Sequence, residues 1–182
     1  MQYRRAKIAG ASYFFTVVTH ERQPIFRNPD AVALFQAGVD HIRLRHPFQI
    51  DAFVILPDHI HTVWTLPDGD ADFSKRWRLI KEAFTKPFAR SPQHSAPSAS
   101  RRSKGEQAVW QRRFWEHVIR NDDDYAAHID YIHYNPVRHG FVAAARDWAY
   151  SSFLEWVERG VYEPYWGSDE KPPLPEWAVR GE

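Results

Sequence analysis

Apolar and polar positions change period several times along the chain. Residues 12–19, SYFFTVVT, are β-branched and aromatic without a break, the composition of a strand. A turn-like RNPD follows, and over 30–46 Val32, Phe35, Val39 and Ile42 recur at helical spacing, with Asp30 placed to cap the first turn. FQIDAFVILPDHIHTVWTL then reads as two apolar strands joined at Pro57-Asp58, tight enough for an antiparallel hairpin. The helical period returns over 72–88 through Phe73, Trp77, Ile80 and Phe84. Lys75, Arg76, Arg78, Lys81 and Lys86 lie mostly off that stripe, so this helix is expected to be apolar inside and basic outside. Residues 90–107, RSPQHSAPSASRRSKGEQ, offer almost nothing to bury and predict a mobile insertion loop, since pattern resumes on both sides. AVWQRRFWEHVI, 108–119, reads as a strand. NDDDYAAHIDYIHYN, 121–135, reads as an acid-capped helix stopped by Pro136, and AYSSFLEWVERG as a shorter helix before a tail rich in proline and tryptophan.

The order strand, helix, strand, strand, helix, strand, then extra helices, predicts an α+β fold. It is that of a ferredoxin-like sandwich, a central antiparallel sheet with helices on one face, followed by the 121–135 helix and a C-terminal helical extension. At 182 residues the chain suits one domain with a sizeable core, and no internal repeat divides it. With no cysteine, disulfides, thiolate metal ligands and cysteine nucleophiles are excluded, and a cytoplasmic location is expected. Arginines precede the apolar YFFTVV, faintly like a signal peptide. The run is too short and meets His20, Glu21 and Arg22 directly, so it is read as an edge of the fold, with no membrane partner. Net charge is only +1, but residues 147–182 hold eight acidic and three basic residues while residues 1–146 carry net +6. A basic body with an acidic tail suits a polyanion-binding domain; solvated surface charge gives the same counts.

The chemistry begins at LPDHIHTVWTLP, 56–67, where His59 and His61 flank one isoleucine. In a strand alternate side chains share a face, so the two imidazoles project together while Ile60, Thr62 and Trp64 point into the core. Imidazoles about 7 Å apart along a strand can converge on one ion, or can be two unrelated, partly buried histidines. The 121–135 helix adds a second constellation. Tyr131 and Asn135 are four apart and hence on one face, with His128 and Asp124 one and two turns earlier on about the same side. Pro136 disfavours helical geometry at Asn135, which leaves the direction of that side chain open. The tyrosines could equally be packing aromatics.

HIH after a strand, followed by DYIHYNPVRHG, resembles the HUH endonuclease superfamily, and in particular the REP-associated tyrosine transposases, relatives of the single-tyrosine insertion-sequence transposases. YRRAKIAGASYFFTVVTHERQPIF is similar to the family's opening strand, AFVILPDHIHTVW to its metal strand, WQRRFWEHVIRNDDDYAAHIDYIHYNPVRHGFV to its strand-to-catalytic-helix segment and DWAYSSF to the element after it. The resemblance covers most of residues 3–153, which makes 1–153 the transposase domain and 154–182 an extension of the same unit or a tail. It implies His59 and His61 as metal ligands, Tyr131 as nucleophile and Asn135 as third ligand, where the insertion-sequence relatives usually have glutamine. The implied substrate is single-stranded DNA carrying a hairpin from a repetitive extragenic palindrome. The implied cofactor is Mg2+ or Mn2+, and the implied state of this branch is a monomer, whereas the insertion-sequence relatives exchange the tyrosine helix in a dimer. Imidazole ligands favour manganese on softness alone.

For DNA contacts the sequence offers a basic arm of Arg4, Arg5 and Lys7, and Arg112 and Arg113 flanking Trp110 and Phe114, a mixture of cation and ring that single strands favour. Core aromatics beside solvated arginines would look the same. The reading is a metal-dependent, hairpin-specific endonuclease and strand transferase with a 5′-phosphotyrosine intermediate. A relaxase or replication-initiator nickase, a DNA-binding protein without catalysis, and a metal hydrolase are the alternatives.

Overall fold

The computed structural model describes residues 7–91, 107–168 and 171–174. Strand β1 (Ser12–Val18) leads to helix α1 (Pro29–Arg45), the hairpin β2 (Gln49–Ile55) and β3 (His59–Thr65), and helix α2 (Phe73–Phe88). Strand β4 (Trp115–Val118), helix α3 (Asp122–Arg138) and the short helix α4 (Phe153–Glu158) complete the order. The sheet runs β2-β3-β1-β4 with every neighbouring pair antiparallel. Because β1 and β2 both oppose β3, they are parallel to each other with β3 inserted between them, the split βαβ of the ferredoxin-like sandwich. The histidine strand is thus central, hydrogen-bonded on both edges.

Local chemistry explains the helix starts. Asn28, not Asp30, caps α1: its side chain accepts from the Asp30 amide at 2.9 Å, Pro29 occupies the first turn, and Asp30 serves the helix dipole instead. Asp72 caps α2 and Asn121 caps α3, accepting from Lys75 N and Asp124 N at 3.1 and 2.8 Å. Asp122, Asp123 and Asp124 fill the first turn of α3.

Both faces of the sheet are covered. Tyr13, Phe15 and Val17 of β1 and Ile60 and Trp64 of β3 pack on Phe35 and Val39 of α1 and on Trp77, Ile80 and Phe84 of α2. Phe14, Val54 and Val63 point the other way, onto Ile129, Tyr131 and Ile132 of α3 and Phe153 of α4. The expected arrangement of helices on one face therefore describes α1 and α2, while α3 and α4 build a second layer. Alternation in β3 separates one core from another rather than core from solvent.

Three further expectations are corrected. The strand expected over 108–119 is confined to Trp115–Val118. Ahead of it Ala108 has φ +56°, and Trp110 makes one bridge to Thr19, donates its indole N–H to Thr85 Oγ1 at 3.1 Å and packs on Phe26, Phe35 and Phe84. The apolar spacing there belongs to a segment lying across the core. Pro136 does not stop α3, which continues to Arg138. Its ring removes the one N–H that would bond Ile132, and the helix ends where Gly140, at φ +70°, closes a Schellman turn: Gly140 N donates to Val137 O and Phe141 N to Pro136 O. Arg76, expected on the outer side of α2, is buried. Its guanidinium donates to the carbonyls of His46, Asp72 and Pro47 and to Asp70 at 2.7–3.2 Å, pinning the α1–β2 connection to α2. Among the described residues no helix is long and apolar enough to cross a membrane.

Candidate active site

The pleat of β3 turns His59 and His61 together onto the α3 layer, with ring centroids 4.8 Å apart. Each is 1% exposed. Both rings are oriented from neighbouring elements. In the β1–β3 register Thr16 lies opposite His61, and its Oγ1 is 2.9 Å from His61 Nδ1. In the hairpin turn, Asp58 Oδ1 accepts from His59 Nδ1 at 2.6 Å and Oδ2 accepts from Arg22 Nη1 at 3.2 Å. Burial works to raise the Asp58 carboxyl, but the hydrogen bonds and charges of His59 and Arg22 outweigh it and hold it below its ordinary value. With Nδ1 engaged in both rings, an ion would have to be met by Nε2; the Asp58 carboxylate, which only accepts, fixes the His59 tautomer, while the Thr16 hydroxyl orients His61 without selecting one.

Helix α3 brings Tyr131 against this pair, its ring 5.1 Å from His61 and 5.9 Å from Phe14. Tyr131 is buried, and Asn135, one turn on, is fully buried despite the proline after it, because α3 stays helical through that proline. Two imidazoles and an amide oxygen are neutral donors of the kind that hold a first-row divalent ion, and their burial suits a site that excludes bulk water. At the end of α3, Arg138 Nη1 donates to Tyr131 Oη at 3.1 Å with the guanidinium 5.4 Å from the ring centroid. The exposed His139 ring lies 5.3 Å from that of His59.

His128 and Asp124 belong to an adjoining cluster with His117 of β4. His117 Nε2 donates to Asp124 Oδ2 at 2.8 Å, and His128 Nδ1 donates to the Asp124 carbonyl at 2.7 Å and lies 3.2 Å from Oδ1. The donor atoms of the three come within 4.8 Å of one another. The two imidazoles, however, are stacked at 4.7 Å with planes only 17° apart, so their in-plane lone pairs run side by side instead of converging. Burial pushes His128 down to about 4. We read the cluster as a network that ties the first turns of α3 to β4, with Phe14 in contact with both it and His61.

Of the residues expected to meet DNA, Lys7, Arg112 and Arg113 are exposed. Arg4 and Arg5 lie outside the described residues, as do most of the 90–107 loop and much of the acidic tail. Trp110 and Phe114 pack inward, with Lys81 Nζ 5.4 and 5.6 Å above their rings. Thr16, Asp58, Arg138 and His139 escape sequence reading. Only Arg138 carries a signal, standing seven residues after Tyr131 and so on the same helical face.

No protein-family model matches the chain. A central antiparallel sheet presenting a histidine pair to a tyrosine on a covering helix is an arrangement suited to tyrosine-based chemistry. Among curated proteins, the REP-associated tyrosine transposase of Escherichia coli K12 is 42% identical over 168 residues, 92% of this chain and 92% of the relative. A Haemophilus influenzae protein provisionally given the same name is 37% identical over 99% of this chain and 98% of its own length. A solved structure described as the REP-associated tyrosine transposase bound to a REP hairpin superposes with a TM-score of 0.76 at 37% identity, covering 97% of this chain and 98% of that one. The chain belongs to the REP-associated tyrosine transposases. It is accordingly an enzyme, a transposase with a tyrosine nucleophile.

Proposed function

We propose that this chain nicks and rejoins single-stranded DNA beside REP-like hairpins, with Tyr131 as nucleophile and a divalent cation, Mg2+ or Mn2+, held by His59, His61 and Asn135. The observation that carries the reading is the 5.1 Å approach of the Tyr131 ring to His61, across two elements 70 residues apart. A phosphodiester resists attack because its charge repels nucleophiles; a bound divalent cation would withdraw that charge. The residues of the chain do the rest. Burial of Tyr131 keeps the phenol beside the histidine pair, Asp58 holds His59 in one tautomer and orientation, and Thr16 orients His61. Attack by Tyr131 Oη forms an Oη–P bond and releases a 3′-hydroxyl, leaving a 5′-phosphotyrosine that conserves the bond energy for transfer to another strand end. The hairpin substrate is suggested by the similar structure bound to a REP hairpin. Lys7, Arg112 and Arg113 are proposed to meet the phosphate backbone, joined by Arg4 and Arg5. Tyr131 packs against His61 of its own chain without exchange of α3, which supports a working monomer.

The test is to incubate the protein with a hairpin-bearing single-stranded oligonucleotide and Mn2+ and look for a covalent adduct on a denaturing gel. Native protein should form it and Tyr131→Phe should not, while hairpin affinity survives. An adduct that persists in Tyr131→Phe sinks the nucleophile assignment. His59→Ala and His61→Ala should each lose metal-dependent nicking.

A further inference from the structure

We infer that Arg138 is a catalytic residue of the tyrosine reaction: its guanidinium holds Tyr131 Oη for attack, carries the charge of the phenolate and reaches the phosphate it attacks. This rests on the assignment of Tyr131 as nucleophile made above. The geometry follows from the helix. Seven residues are nearly two turns, so Arg138 stands on the face of Tyr131 about 10.5 Å further along the axis. Helical side chains lean toward the N-terminus, and arginine is long enough to reach back over Asn135, which lies between the two. The contact is made: Nη1 is 3.1 Å from Oη, with the guanidinium 5.4 Å from the ring centroid. The Schellman turn closed by Gly140 ends α3 just beyond Arg138 and fixes where its backbone stands.

A guanidinium is protonated throughout, so Arg138 contributes charge and directed N–H donors rather than a proton. One N–H is on Oη, and the fork geometry of a guanidinium suits phosphate oxygens as well as a phenolate. In cleavage the Oη–P bond forms and the P–O3′ bond breaks. The phenolic proton passes to water, and the 3′-oxygen departs with the electron pair and takes a proton from water. As Oη loses its proton, the Arg138 N–H bonds a growing negative charge; once Oη bridges to phosphorus, the fork serves the non-bridging oxygens. When a 3′-hydroxyl attacks the phosphotyrosine, the same group receives the departing phenolate. Arg138 therefore acts on both directions of one transition state.

The experiment uses the full chain, a hairpin-bearing single-stranded oligonucleotide and Mn2+ under single-turnover conditions. It reads the rates of adduct formation and of strand transfer, the final adduct fraction, and hairpin affinity by fluorescence anisotropy. Arg138→Gln should slow both rates by about a hundredfold, as loss of one donor to a developing oxyanion does. Affinity and the final adduct fraction should stay near native, and added guanidinium ion should restore part of the rate. Native rates in Arg138→Gln, or a rate loss matched by an equal loss of hairpin affinity, would overturn the assignment. Should that variant fail to fold, Arg138→Lys decides, since it keeps the charge and loses the fork: a rate about tenfold below native supports the role, and a native rate removes it. No adduct from the native chain would fell the Tyr131 reading and this one with it. An adduct made equally well by Arg138→Gln would fell only this one.

Discussion

At the scale of single residues, the site divides into groups whose faces are set by local periodicity and groups whose partners are set by the fold. His59, His61 and Tyr131 are of the first kind, whereas Pro136 leaves Asn135 open until α3 is seen to run through it. A strand alternates and a helix repeats every three to four residues, so their common directions are legible before any packing is known. Thr16 and Asp58 are of the second kind. Nothing in SYFFTVVT shows that Thr16 will face His61; that follows from β1 pairing with β3 in one particular register. Their role can be measured. Asp58→Ala removes the acceptor on His59 Nδ1 and the partner of Arg22, leaving the ring free to turn and to change tautomer. Mn2+ affinity read by titration calorimetry should fall about 10–100-fold, the usual effect of losing an outer partner of a metal-binding histidine. Unchanged affinity would mean that Asp58 serves the turn alone.

Elements were legible where sequence period and packing agree, and misread where one residue type stands for two behaviours. Proline is a helix breaker in isolation, yet at Pro136 the loss is one N–H, and the helix continues because Tyr131, Ile132 and Asn135 are already buried against the sheet. Aromatic, β-branched composition over 108–119 suggests a strand, but most of it serves to lay Trp110 and Phe114 onto the core. Glycine is the clearer mark: the true end of α3 is at Gly140, whose φ of +70° L residues seldom adopt. A Cβ there would meet no atom within 4 Å, so the cost of Gly140→Ala is purely conformational. Urea unfolding should show a loss of about 1 kcal/mol. If α3 ended at Pro136, as the sequence suggests, the substitution would cost nothing.

On the scale of the whole molecule, the sheet is a partition between two cores with different work. The layer of α1 and α2 buries Tyr13, Phe15, Trp64 and Trp77 and holds none of the site's histidines or tyrosine. The layer of α3 and α4 contains Tyr131 and receives His59 and His61 from β3. The sequence shows the sandwich order but not this division, because β3 is buried on both sides and that burial does not say which helix covers which face. The division predicts that stability and catalysis respond differently to equal losses of packing. Ile80 of α2 and Ile132 of α3 are both 0% exposed, one in each core. Shortening either to valine removes one methylene and should cost about 0.5–1.5 kcal/mol in urea unfolding. Ile80→Val should leave the rate of adduct formation at its native value, since the far core can relax without moving α3. Ile132→Val loosens the helix at the residue after Tyr131 and should slow adduct formation several-fold, because small displacements of an attacking group cost rate out of proportion to their size. Equal slowing in both variants would mean that the two cores move as one body and that the sheet does not insulate the site.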